Sequence, residues 1–146
     1  MEKALEISKL EESHYEQVIA LWQLCGLPLK PQGRDSRSEY LRQLELEQLR
    51  FIGLFDGRRV TGTVLATHDG RKGWINRLAV HPGYSGRGYG ARLISEAEKW
   101  FESQGIRIFA CLIEPGYEAS RAVFEKAGYS LFEGVTYHTK RLADDV

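Results

Sequence analysis

The stretch HPGYSGRGYGARL, His81 to Leu93, sets four glycines within ten residues and then turns at once into a helix-like pattern. The chemistry such a stretch offers is anion binding. The first N–H groups of a helix have no partners inside it, and together they carry roughly half a positive charge. Glycines at that point let a phosphate approach the N–H groups without meeting a Cβ. Gly86, Gly88 and Gly90, with Arg87 and Arg92 beside them, suit a diphosphate. A tight strand-to-helix turn that holds no ligand would use the same residues.

The elements around this loop follow from periodicity and punctuation. Leu5 to Leu10 reads as a short strand. Ser13-x-x-Glu16 reads as a capping box that opens a helix with the stripe Tyr15, Val18, Ile19, Trp22 and Cys25, ended by Gly26 and Pro28. LKPQGRDSR is an irregular loop. A second box, Ser36-x-x-Glu39, starts a helix carrying Tyr40, Leu41, Leu44 and Leu49. The period then changes. Phe51–Phe55, Val60–Thr67 and Trp74–Val80 are β-branched and apolar runs separated by Asp56-Gly57 and Asp69–Gly73, which predicts a three-stranded antiparallel meander. After the glycine stretch, Leu93, Ile94, Ala97, Trp100 and Phe101 mark a helix stopped by Gly105. Ile106–Ile113 is the next strand. A helix from about Tyr117 to Ala127 ends at Gly128, and closing strands are expected at Tyr129–Phe132 and Val135–Lys140. The order β-α-α-β-β-β-α-β-α-β-β is a mixed α/β domain whose one parallel crossover joins Trp74–Val80 to Ile106–Ile113.

Composition narrows the function classes. The 146 residues fit one domain, 42% hydrophobic and 27% charged, with 20 basic and 20 acidic side chains. A net charge of zero gives no bulk attraction to nucleic acid or to a membrane. Cys25 and Cys111 match neither a metal-ligand spacing nor a disulfide framework. No apolar run reads as a signal peptide or a membrane span, so a cytoplasmic protein with reduced thiols is expected.

Two familiar phosphate loops fit poorly. The nucleoside-triphosphate P-loop needs Gly-Lys-Ser/Thr, which is missing. The dinucleotide fingerprint is formally met by Gly86, Gly88 and Ala91, with Glu114 near the distance of a ribose contact. That fingerprint belongs in a tight first β-α turn of a parallel unit, whereas His81–Ser85 intervene here and the preceding strands form a meander. INRLAVHPGYSGRGYGARLI resembles instead the central motif of the GNAT superfamily of acetyl-CoA-dependent N-acetyltransferases. In that motif a strand ends in Val-x-Pro, and Arg/Gln-x-x-Gly-x-Gly/Ala then opens a helix. The matching residues are Val80-His81-Pro82 and Ser85-Gly86-Arg87-Gly88-Tyr89-Gly90. ASRAVFEKAGYSLF resembles the second motif, a short helix ending in Gly-Phe or Gly-Tyr before a strand.

The resemblance implies a mostly antiparallel sheet flanked by helices and splayed at the cofactor site, spanning residues 1–146 as one domain. It implies acetyl-CoA as cofactor, with no metal, since the thioester is already activated. The N–H groups from Gly86 to Ala91, Tyr89 among them, would hold the diphosphate. Leu78, Ala79 and Val80 would pair with the pantetheine arm, and the Val80 N–H would polarise the thioester carbonyl. The acceptor would be a primary amine of a small molecule or peptide, with Leu27–Tyr40 flanking it, and a homodimer through the closing strands is allowed.

Several residues depart from the pattern. Ser85 stands where Arg or Gln is usual, with Arg87 or Arg92 as substitutes for the lost contact. Phe124 stands where many members carry the tyrosine that protonates the departing thiolate. Tyr117, two helical turns earlier, is the candidate replacement acid, and a water held by Ser120 is another. Asn76 and Arg77 occupy the strand where some members place a glutamate base. His68, Asp69, Glu114 and His138 are the remaining titratable candidates, although Asp69 is accounted for by its turn. A catalytically weak acyl-CoA-binding module is the competing reading.

Overall fold

The computed structural model describes residues 4–146. One five-stranded sheet runs in the order β1-β2-β3-β4-β5, with β1 at Glu6–Lys9, β2 at Leu49–Asp56, β3 at Arg59–His68, β4 at Gly73–Val80 and β5 at Phe109–Cys111. All neighbours are antiparallel except β4 and β5, which are parallel. Four helices complete it: α1 (Tyr15–Leu24), α2 (Arg37–Leu44), α3 (Tyr89–Ser103) and α4 (Glu118–Lys126). The mixed, mostly antiparallel architecture and its single crossover through α3 agree with the sequence reading. No helix among the described residues is long and apolar enough to cross a membrane.

The sheet is covered on both faces, which explains why FIGLF reads as one apolar run rather than a clean alternation. Ile52, Leu54, Val64, Ala66 and Ile75 pack under Leu93, Ile94, Ala97 and Phe101 of α3 and Phe124 of α4. On the other face Phe51, Phe55, Val60 and Ala79 pack under Val18, Leu21 and Trp22 of α1 and Tyr40 of α2. Each fully buried large side chain stabilises by roughly 1.5–3 kcal/mol.

Four expectations need correction. Ser13 lies inside a short 3-10 turn, Glu12–His14, so α1 starts at Tyr15 and Glu16 pairs with Arg37 at 2.7 Å instead of closing a box. Ser36 does cap α2, its Oγ accepting from Glu39 N at 3.2 Å, but the Glu39 carboxylate turns to Arg42. Leu49 is the first residue of β2, because α2 stops at Leu44 and a turn follows. Residues 129–140 form no strand, and Leu131, Phe132, Val135 and Tyr137 stand exposed. The three-residue β5 offers too short an edge to template a further hairpin, and a hairpin alone is marginal in water. Tyr129 is tied in, its hydroxyl donating to Glu98 at 2.6 Å and its ring against Phe124.

The buried phenols give the fold an alkaline limit. Tyr40 donates to Glu11 O at 2.6 Å, and burial pushes its hydroxyl up to about 12. Burial, then the Glu98 carboxylate, also raises Tyr129. A raised phenol binds its proton more tightly in the folded chain, so its contribution is whole below the unfolded value of about 10 and disappears as pH climbs through the folded value. Unfolding free energy should therefore fall between about pH 10 and 12. Urea titrations of Tyr40→Phe across that window should give a shallower slope than the parent.

Candidate active site

β4 is built differently along its length. Gly73–Ile75 pair with Phe109–Cys111 of β5, but beyond Ile75 that partner is lost and Asn76–Val80 keep one edge open. The splay expected between these strands is this divergence. On the β3 side the register slips, since Leu65 faces Asn76 while Thr63 faces Ala79. Arg77 and Leu78 thus share one place opposite Val64, a β-bulge. Arg77 has φ +54°, and among the described residues no other non-glycine has a positive φ.

Strain of this kind costs about 1–3 kcal/mol and persists only where the surroundings impose it. Here Thr63 Oγ donates to Arg77 O at 2.9 Å and accepts from Trp22 Nε1 at 2.9 Å, so one hydroxyl locks the bulge to α1. The Arg77 guanidinium lies 4.8 Å from the Trp22 ring centre, with Nη2 3.4 Å from Asp35 Oδ2. Burial pulls the Arg77 pKa below its usual value, and the Asp35 carboxylate opposes that pull. Asp35 itself is fixed by the loop after α1: its Oδ2 accepts from Lys30 N at 2.8 Å, and its carbonyl accepts from Tyr15 at 2.7 Å.

The end of β4 presents backbone to the opening. His81 N donates to Thr61 O at 2.8 Å, so the neighbouring Gly62/Val80 pair is of the non-hydrogen-bonded kind. The Val80 amide and carbonyl therefore point away from β3, and the alternation gives Leu78 the same sense. The Cys25 thiol reaches the Val80 carbonyl at 3.5 Å, and burial keeps that thiol's pKa raised.

From Val80 the chain enters the glycine loop. His81 Nδ1 accepts from Gly83 N at 2.9 Å, and Tyr84 anchors the loop through a 2.5 Å bond to Asp56. Gly86 and Gly88 take φ +75° and +82°, and nothing lies within 4 Å of where a Cβ would sit on either. The first amide of α3 to find a helical partner is Arg92 N, on Gly88 O at 3.2 Å. The amides of Gly86, Gly88, Tyr89, Gly90 and Ala91 donate to no acceptor among the described residues. They open at the positive end of a 15-residue helix, in a segment, 82–92, without an acidic side chain. That cradle fits the diphosphate of coenzyme A.

The side chains around it are less available. Ser85 Oγ donates to Pro82 O at 2.9 Å and so faces the loop's interior. Arg92 lies over Tyr89 and reaches Leu5 O at 3.4 Å, while Arg87 lies 5.9 Å from the Tyr84 ring centre. Phe124 is 4% exposed, within the core under α4, and Ser120 is half-buried one turn earlier. Tyr117 precedes α4, and its hydroxyl donates to Gly26 O at 3.2 Å. Gly26 follows Cys25, so this phenol stands beside the end of β4.

The titratable candidates are not gathered here. His68 and Asp69 lie at the β3–β4 turn, the far end of β4 from Val80. Asp69 accepts two turn amides at 2.8 Å, which hold its carboxyl below the usual range. His138 lies in the strandless C-terminal segment with Thr136, and Glu114 is exposed in the β5–α4 connection. What residue reading missed is the Trp22–Thr63–Arg77–Asp35 assembly.

Comparisons with known proteins bear on this geometry. The sequence profile described as "Acetyltransferase (GNAT) family" matches residues 12–129. The chain belongs to the GNAT acetyltransferase family. This GNAT chain is 30% identical over 141 residues to an acetyltransferase of Sodalis glossinidius, covering 97% of it and 98% of the relative. It is likewise 30% identical over 141 residues to an acetyltransferase of Pectobacterium atrosepticum, with 97% and 98% covered. Its fold resembles AAC(6')-Iy in complex with a bisubstrate analogue, with TM-score 0.79, 21% identity, and 95% and 99% of the two chains covered. It also resembles the PaiA N-acetyltransferase of Thermoplasma acidophilum in complex with coenzyme A, with TM-score 0.75, 20% identity, and 85% and 88% covered.

Proposed function

We propose that the whole chain is one N-acetyltransferase domain that uses acetyl-CoA to acetylate a primary amine of a small molecule or peptide. The observation that carries this is the set of amides of Gly86, Gly88, Tyr89, Gly90 and Ala91, which find no acceptor among the described residues and open where the unpaired edge Asn76–Val80 ends. When bound, acetyl-CoA supplies an acetyl group already activated as a thioester. The chain's own part is mostly backbone. The loop amides and Arg87 hold the diphosphate, Leu78 and Val80 offer strand-like pairing to the pantetheine arm, and the Val80 N–H polarises the carbonyl under attack. Tyr117 holds a proton beside the end of β4, where the departing thiolate needs one.

A thiol of pKa about 8.5 leaves without much help, and general-acid assistance is typically worth about 10²–10⁴-fold. Tyr117→Phe should accordingly lower kcat by at least about 10-fold with little change in KM for acetyl-CoA. Thiol release against a panel of amines is the assay that checks it, and an unchanged kcat removes Tyr117 from the mechanism. The buried Phe124, which has no hydroxyl, favours a second reading, an acyl-CoA-binding module of weak activity. That reading predicts stabilisation by coenzyme A without thiol release from any amine in the panel.

A further inference from the structure

We propose that the amine admitted to this site also carries a carboxylate, as an amino acid does, and that Arg77 is the residue that grips it. The inference rests on the acetyl transfer proposed above and concerns which acceptor is selected. A guanidinium has five N–H donors in a planar fork that matches a carboxylate two-to-two. In Arg77 the fork is nearly idle. Its hydrogen bond among the described residues is one 3.4 Å contact to Asp35 Oδ2, an oxygen already engaged by Lys30 N at 2.8 Å. The guanidinium packs over the Trp22 ring at 4.8 Å, so its side chain is restrained in advance and has less freedom to lose on binding.

Position points the same way. Arg77 sits on the open stretch of β4 that ends at the outward Val80 amide, close enough to Tyr117 and Arg34 to interact electrostatically with both. Holding this residue at positive φ requires the Trp22–Thr63 lock, a costly way to make an ordinary ion pair and a sensible way to aim a ligand clamp. Charge agrees as well. Of the described groups that act on Arg77, Arg34 is cationic and Asp35 is the carboxylate, so two positive charges face one negative charge there. A polycationic amine is disfavoured by that balance, and an acceptor whose own carboxylate completes it is favoured.

The test compares matched acceptors on the intact protein: phenylalanine, phenylalaninamide and phenethylamine, and a series from glycine to 5-aminovalerate against the corresponding diamines. Thiol release at saturating acetyl-CoA gives kcat and KM. Melting with coenzyme A present, before and after each acceptor, gives binding without turnover. Carboxylate-bearing acceptors should be preferred about 10–100-fold in kcat/KM, mostly through KM. Arg77→Asn, which tolerates a left-handed backbone, should erase that preference and keep the melting shift given by coenzyme A alone. Should that variant not fold, Arg77→Lys keeps the charge, loses the fork and should raise KM several-fold. Thiol release that favours the amines without a carboxylate, or a carboxylate preference that survives Arg77→Asn, overturns the proposal while leaving acetyl transfer standing. An acceptor-dependent melting shift that needs Arg77 but comes without thiol release upholds the carboxylate site and overturns acetyl transfer. If neither signal is seen, both fall.

Discussion

Gly88→Glu abolishes the thermal stabilisation that coenzyme A gives the parent chain. A ligand bound only to the folded state, at a hundred times its dissociation constant, adds about 2.7 kcal/mol, which for a chain of this length is roughly a 5–10 °C rise in Tm. Gly88 has φ +82° and opens the amide row of α3, so a glutamate there sets bulk and negative charge where the diphosphate must lie. The strained backbone also lowers the melting point of the free variant by itself. The quantity to compare is therefore the increment on adding ligand. Gly88→Asn separates the causes, because asparagine tolerates the conformation and brings no charge, and it should retain part of the increment. A parent chain that millimolar coenzyme A does not stabilise in differential scanning fluorimetry overturns the binding site altogether.

Thr63→Val weakens both the fold and the reaction. Thr63 is fully buried, and its hydroxyl is at once the acceptor for the Trp22 indole N–H and the donor to the Arg77 carbonyl. Valine has the same outline and neither function, so the buried indole N–H loses its partner at about 1–3 kcal/mol and the part-buried Arg77 carbonyl at about 1 kcal/mol. Urea unfolding should show a loss of about 2–4 kcal/mol with an unchanged m-value. With the lock gone the bulge relaxes, and kcat/KM should fall further than the fraction of folded protein explains. Thr63→Ser keeps the hydroxyl and should recover most of both. A valine variant as stable and as active as the parent would mean that the lock does nothing.

The meander and the glycine-loaded helix were legible because their signals are local. Asp56-Gly57 and Asp69–Gly73 announce turns wherever they occur, and the spacing from Leu93 to Phe101 is that of a helix whichever surface it covers. The chemistry of the loop was legible too, since unpaired amides belong to any helix start. Element ends were less so: Leu49 fits the helical spacing of its predecessors but is claimed by pairing with Thr67 across β2 and β3. The strands expected after Tyr129 have the right composition and lack a long enough edge to join. The bulge left no trace in the sequence at all. It comes from the relative register of two strands, and arginine is not a residue that advertises a positive φ. Asp35 likewise read as one polar residue of a loop until its neighbours were known.

The extra residue in β4 also resets the parity of everything after it. In a regular strand Ile75, Arg77 and Ala79 would share a side, whereas Ile75, Leu78 and Val80 pack toward α3 and Ala79 toward α1. A β4 of the same length without the bulge would turn Leu78 and Val80 inside out and push Arg77 in among the apolar side chains beneath α3. Loss of one residue at Asn76–Arg77 would instead remove the bulge and leave Leu78 and Val80 facing α3, whereas one residue more would reverse them unless a second bulge took it up. The side that the last residues of β4 face is thus kept by the one residue that stands out of step, Arg77.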